Sequence, residues 1–196
     1  MKNTAKKGFF LLALTAIFVS GVFAQAPTLD KFKFSVPAAG KESIISAANK
    51  QISGAVVIPD TYDGRPVVWA IYAFENCTGI TNAVIPNSMA SVGMAAFRGC
   101  TSLESVTIGS GVTKIDHYAF QNCTSLTSVT FRGTIPTGTN FSGQNAFPGD
   151  LRAKAQAGGP GTYTRPRGSD VWTKQGGVDG IVCPHCGQLI PGAVWK

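Results

Sequence analysis

The sequence predicts a β-rich solenoid: a short stack of about four 23-residue coils sharing one parallel sheet, with an N-terminal cap and a C-terminal β-hairpin cap. Three observations carry that prediction. The stretches AFENCTGI (Ala73 to Ile80), AFRGCTSL (Ala96 to Leu103) and AFQNCTSL (Ala119 to Leu126) are near copies, each starting 23 residues after the last. Aligned on that step, the apolar columns stay apolar: Phe74, Phe97 and Phe120; Cys77, Cys100 and Cys123; Ile80, Leu103 and Leu126; Ala83, Val106 and Val129; Ile85, Ile108 and Phe131. Between them the residues drift, as in the column of Glu75, Arg98 and Gln121. The third observation is composition. With 44% hydrophobic and 14% charged residues the chain is neither a disordered tail nor a coiled coil, and its 23 Gly and 11 Pro suit many short turns.

Residues 1–24 stand outside this fold argument. A basic start (Lys2, Lys6, Lys7), an apolar stretch from Phe9 to Val19 and small residues at Val22 and Ala24 read as a secretory signal peptide cut after Ala24. The expected destination is export: secreted or at the cell surface, with the periplasm as the alternative, and no transmembrane anchor after cleavage. Loss of the three signal lysines leaves fourteen basic against ten acidic residues, a net charge of about +4. The excess lies late in the chain, in Arg132, Arg152, Lys154, Arg165, Arg167 and Lys174 against Asp150 and Asp170. This reads as a solvated face. No basic helix or nucleic-acid motif accompanies it, so no nucleic-acid partner is expected.

Residues 25–53 form the expected N-terminal cap, beginning with the alternating run KFKFSV (Lys31 to Val36). The repeats occupy residues 54–147. They open with GAVVIPDTYDGRPVV (Gly54 to Val68), stretched by four residues between Ile58 and Phe74. LESVTI (Leu103 to Ile108) has the L-x-x-L-x-L spacing of a leucine-rich repeat strand, with Val106 and Ile108 on one face and Thr107 on the other. One such unit cannot bury its apolar face alone. Stacked copies turn each column into a ladder, where burial of each Leu, Ile or Phe contributes roughly 1.5–3 kcal/mol. The column Cys fits as a small buried hydrophobe, a free thiol. The sequons Asn76-Cys77-Thr78 and Asn122-Cys123-Thr124 are placed in the same buried ladder and are read as carrying no glycan. The last repeat is again four residues longer, since Phe147 follows Phe120 by 27. Residues 148–178 form the C-terminal cap, in which GTYTRPRGSDVWT reads as a hairpin around Pro166 to Ser169. Residues 179–196 are a tail containing Cys183-Pro184-His185-Cys186.

The consensus AFxxCTSLxSVTI, followed by GVTKIDHYAF, resembles the bacterial BspA-like leucine-rich repeat, also called the treponemal type. The resemblance covers about residues 54–147. It implies a leucine-rich repeat stack, and it brings an association with cell-surface attachment, including the binding of host matrix proteins.

Catalytic chemistry finds little purchase. The chain has two His, and His117 shares its column with Met94, which marks a loop or surface position. No G-x-S-x-G elbow, H-E-x-x-H helix or phosphate-cradling loop occurs, so neither catalytic nor cofactor-binding residues are expected. Cys183 and Cys186 leave three readings open: a local disulfide or inert pair, half of a zinc site, or a redox pair. Structural zinc wants four ligands and the chain holds no second C-x-x-C. The redox reading lacks a thioredoxin-like frame, with only ten residues after Cys186. What remains is the outward strand face: Thr81, Asn82 and Val84, then Glu104, Ser105 and Thr107, then Thr127, Ser128, Thr130 and Arg132. Glu104, Ser105, Thr107, Thr127, Ser128, Thr130 and Arg132 are the candidate partner-binding residues. The expected function is that of an exported, non-enzymatic protein that binds another protein, of the host extracellular matrix or of the cell envelope. The alternatives are a structural component of the envelope or periplasm, and a thiol or zinc role for the tail.

Overall fold

The computed structural model describes residues 29–35, 43–70, 72–134, 145–176, 180–182 and 189–191. The signal segment and Cys183 to Cys186 lie outside them. A 3-10 turn (Leu29–Lys31) leads into β1 (Phe32–Ser35), which pairs antiparallel with β2 (Ser43–Ala47). Then follow β3 (Ser53–Val57), β4 (Thr61–Tyr62), β5 (Arg65–Ala70), β6 (Gly79–Ile85), β7 (Ser91–Val92), β8 (Ser105–Ile108), β9 (Lys114–Ile115) and β10 (Ser128–Phe131). After the last coil come a helix, α1 (Leu151–Gly158), the hairpin strands β11 (Gly161–Thr164) and β12 (Thr173–Gln175), and a separate pair, β13 (Gly180–Val182) and β14 (Leu189–Pro191).

Four coils result. Each has a strand on one side (β3, β6, β8, β10) and, after it, a corner that holds Phe74, Phe97, Phe120 or Phe147; in the first three coils the chain crosses to the other side between the two. The strands pair in parallel at the 23-residue step, Asn82 opposite Ser105 opposite Ser128 and Ile85 opposite Ile108 opposite Phe131. Beyond the expected parallel sheet, the far side of the coils builds a second one, in the order β1-β2-β5-β7-β9, with β4 on the flank of β5. Its strands are two residues long in the regular coils, too short for any alternation to register in the sequence. The four extra residues of the first coil are absorbed by the β4–β5 hairpin. Asp63 and Gly64 both take positive φ in its turn (50° and 72°), the geometry that Asp-Gly favours.

The core is the set of predicted ladders. Phe97, Cys100 and Leu103 are fully buried, as are their counterparts one coil to either side. The four corner rings stack with centroids 5.0, 5.2 and 4.6 Å apart. Each corner is made by two left-handed residues, at the positions two before and two after the Phe: Tyr72 and Asn76, Ala95 and Gly99, Tyr118 and Asn122, Asn145 and Gly149. That conformation costs an L-residue roughly 1–2 kcal/mol, and Asn and Gly bear it most easily. The corner also corrects the sequon placement. Asn76 and Asn122 are exposed with Thr78 and Thr124, and only Cys77 and Cys123 face inward.

The 23-residue step is held by backbone as well as by packing. Phe74, Phe97 and Phe120 donate their N–H to the carbonyls of Ala96, Ala119 and Ala146 in the next coil, at 2.7–2.8 Å. The last of these bonds keeps the 27-residue coil in register at its corner. Helix α1 was not legible in the sequence. It is two turns long, buries Leu151 and Ala155, and is bracketed by Gly149 and Gly159.

Candidate functional site

The outward side of the long sheet is a polar plane six strands wide, in the order β12-β11-β10-β8-β6-β3. One row runs Ala55, Asn82, Ser105, Ser128, Thr164, Thr173; the next runs Val57, Val84, Thr107, Thr130, Thr162, Gln175. The hairpin cap therefore continues the strand face and does not merely cover its end. Thr162, Thr164, Thr173 and Gln175 extend the predicted set. The alternation of TYT around the buried Tyr163 could have placed the two β11 threonines there.

Of the predicted residues, Ser105, Thr107, Thr127, Ser128 and Thr130 are half-buried on this plane, while Glu104 and Arg132 are exposed. Neighbouring side chains satisfy one another across the strands. The Ser105 hydroxyl donates to Asn82 Oδ1 at 2.6 Å, and the Thr130 and Thr162 hydroxyls share a hydrogen bond of 2.8 Å. Thr127 Oγ1 reaches the Glu104 carbonyl at 3.4 Å. Glu104 accepts a hydrogen bond from Arg167 of the C-terminal cap loop at 3.2 Å, so that cap loop and strand face are tied together. The plane offers short hydroxyls and amides on a rigid frame, and no exposed large apolar side chain belongs to it.

The cysteine ladder is structural. Cys77, Cys100 and Cys123 are buried free thiols. Cys100 Sγ donates to the Phe74 carbonyl at 3.0 Å and Cys123 Sγ to the Phe97 carbonyl at 3.1 Å, each reaching back one coil. Burial pushes the Cys100 thiol up to about 12, against a hydrogen bond that pulls the other way, and drives Cys123 higher still. Neither can act as a thiolate near neutral pH. His117 is exposed beside Tyr118, as its column suggested. Burial works to raise the neighbouring Asp116, but hydrogen bonds from Lys114 and the His117 N–H prevail and hold its carboxyl below the usual range. Among the described residues no cluster of His, Cys, Asp and Glu could hold a metal ion, and no helix is long and apolar enough to cross a membrane.

A sequence family described as the BspA type leucine rich repeat region matches residues 70–149. Those residues are a BspA-type leucine-rich repeat region. The chain is similar to the leucine rich repeat protein of T. pallidum, at 34% identity over 55% of this chain and 50% of that one, with a TM-score of 0.48. It is also similar to a leucine-rich repeat protein from Bacteroides ovatus (25% identity, 52% of this chain and 28% of that one, TM-score 0.43). A leucine rich cell surface protein from Faecalibacterium prausnitzii matches at 28% identity over 57% of this chain and 32% of that one, with a TM-score of 0.42. The chain thus spans half of the first protein and about a third or less of the other two. No curated protein matches it. BspA-type repeats, like other leucine-rich repeats, build extended surfaces that serve as protein-interaction scaffolds.

Proposed function

We infer that this is an exported, non-enzymatic binding protein that presents its polar strand face to a protein partner in the cell envelope or the host extracellular matrix. The observation that carries the reading is the six-strand face, with Ala55 and Val57 on its first strand and Ser, Thr, Asn and Gln side chains running from Asn82 of the second coil into the hairpin cap. A rigid extended sheet gains affinity without losing conformational entropy on binding. Its short side chains spread the contact over many positions and supply few anchors. The basic opening of the chain, with its apolar stretch to Val19, supports export.

Surface labelling of intact cells, followed by surface-plasmon measurements against matrix and envelope proteins, tests the reading. Labelled protein with saturable binding that is lost in a Ser105→Lys, Ser128→Lys double variant is expected. Protein shielded from label and protease in the periplasm would favour an envelope component instead. Absence of any saturable protein partner with the fold intact would defeat the reading.

A further inference from the structure

After the stack, β13 (Gly180–Val182) and β14 (Leu189–Pro191) form a two-stranded sheet of their own, with Gly180 opposite Pro191, Ile181 opposite Ile190 and Val182 opposite Leu189. Three residue pairs do not make a stable unit. A lone two-stranded hairpin is marginal in water, and units this small are held by a metal, a disulfide or a second copy. Four of the six strand residues are Ile, Val or Leu, so the pair also calls for another layer beside it.

These strands flank the one sequence motif that the strand-face role leaves unused. The last pair, Val182 with Leu189, is joined by Cys183-Pro184-His185-Cys186-Gly187-Gln188. Those connecting residues lie outside the described ones, whereas the strands on both sides of them are described. The topology therefore puts both cysteines in the connection of an antiparallel hairpin, in the C-x-x-C spacing at which a chain gives two ligands to one metal ion. Pro184 and Gly187 are residue types that chain reversals favour. A structural zinc ion takes four such ligands. The other thiols, Cys77, Cys100 and Cys123, are buried in the ladder inside the stack, so one chain supplies half of a four-sulfur set.

We propose that two copies of this chain share one zinc ion at their β13–β14 hairpins, held by Cys183 and Cys186 of each copy. The site is incomplete in a single chain and complete in a pair related by a two-fold axis, the commonest symmetry of homodimers. Zinc is redox-inert and suits sulfur ligands, and each of the four thiols gives its proton to solvent as its sulfur takes a position on the ion. A disulfide between Cys183 and Cys186 would close only a short loop and leave each apolar strand pair alone. The shared ion instead brings two such pairs together. This dimer goes beyond the strand-face reading and does not depend on it. Where that reading holds, the dimer carries two strand faces, and a surface bearing many copies of the partner is held by avidity.

Native mass spectrometry and elemental analysis test the proposal on the full chain after its signal segment, purified with reductant and then given zinc alone. About one zinc ion for every two chains is expected, in a dimer that parts into monomers when a chelator removes the metal and reforms when zinc is returned. Cobalt(II) in place of zinc should show the strong thiolate-to-metal absorption of a four-sulfur tetrahedral site. Cys183→Ser and Cys186→Ser should each lose metal and dimer together, with the thermal midpoint of the stack unchanged, because the hairpin is a separate sheet. His185→Gln should keep both. No retained zinc, one zinc per monomeric chain, loss of the metal in His185→Gln, a dimer indifferent to chelator, or a Cys183–Cys186 disulfide in the protein isolated from cells would each overturn the proposal.

Discussion

The second and third coils hand every ladder to a neighbour on both sides, whereas the two ends of the stack must stop those ladders with different chemistry. In the middle, Phe97 lies between two parallel rings, and its carbonyl is met by a thiol from the next coil. At the N-terminal end Phe32 meets Phe74 edge-on, with an interplanar angle of 81°, and Lys31 Nζ donates to the carbonyls of Ser53 and Ala55 on the outer strand. At the C-terminal end Arg165, 7% exposed, donates from Nε to the Leu126 carbonyl at 2.7 Å and from Nη1 to the Ser169 carbonyl at 2.6 Å. Its guanidinium lies 5.0 Å from the Trp172 ring centre. The difference teaches that the repeat itself can use weak, uncharged donors, because each coil supplies the next. An end has no next coil, and long cationic side chains close its open carbonyls while hindering edge-to-edge pairing.

The comparison breaks most visibly at the ring ladder. Phe97→Ala should cost about 3–5 kcal/mol, because two stacked neighbours cannot both collapse into the gap. Phe32→Ala, at an end with an edge-on contact and 7% exposure, should cost clearly less. Urea unfolding of the two variants gives the order, and equal costs would mean that the ends are packed as tightly as the middle.

Arg165 comes next. Arg165→Met keeps an apolar stem against Trp172 but leaves the Leu126 carbonyl without its donor, at about 1–3 kcal/mol. A change within a few tenths, read by the same denaturation, would show that the hairpin cap closes the stack through strand pairing alone.

The middle and the ends were unequally legible in the sequence, for a physical reason. Phe97, Cys100 and Leu103 announce themselves because each must match a copy of itself one coil away, so the constraint is written three times. Arg165 is written once. It reads as one more cation in a basic segment, and only the folded hairpin shows that it is buried over Trp172. The strand face was legible from alternation as far as β10. Its continuation through Thr164 and Thr173 depends on antiparallel pairing that no repeat encodes. A cleft lined among others by Gln121, Asn122, Asn145 and Arg152 was hidden for the same reason, since it lies where the fourth coil stops copying the third and the Pro148 carbonyl accepts from the Trp172 indole N–H.

Alkaline pH probes the thiols of the middle coils. The Cys100 thiol is raised by burial from an ordinary value of 9.0 to about 12, and Cys123 is raised in the same direction. An unfolded thiol therefore loses its proton first, and the unfolded chain binds fewer protons above that value. The contribution of these thiols is full below pH 9 and fades as pH rises toward 12, by up to about 1.4 kcal/mol per pH unit for each thiol. A Cys100→Ala, Cys123→Ala double variant should show a flatter decline in stability between pH 9 and pH 10.5 than the parent chain. Parallel curves would mean that those thiols remain accessible to hydroxide in the folded stack.

The smallest effect should come from the ion pair of Arg167 with Glu104, which joins an end to the middle. Arg167 and Glu104 are 64% and 55% exposed in their side chains, at 3.2 Å. Water screens such a pair, and holding two long side chains together costs rotamer freedom, so Arg167→Gln should change stability by less than about 1 kcal/mol. Its consequence for recognition is larger in kind. Glu104 would then stand unpaired at the rim of the strand face, and a cationic partner should associate faster with the variant, most clearly at low salt. Equal association rates for parent and variant across salt concentrations would place the partner away from Glu104. A stability loss well above 1 kcal/mol would instead make the cap loop part of the fold's closure, on the same footing as Arg165.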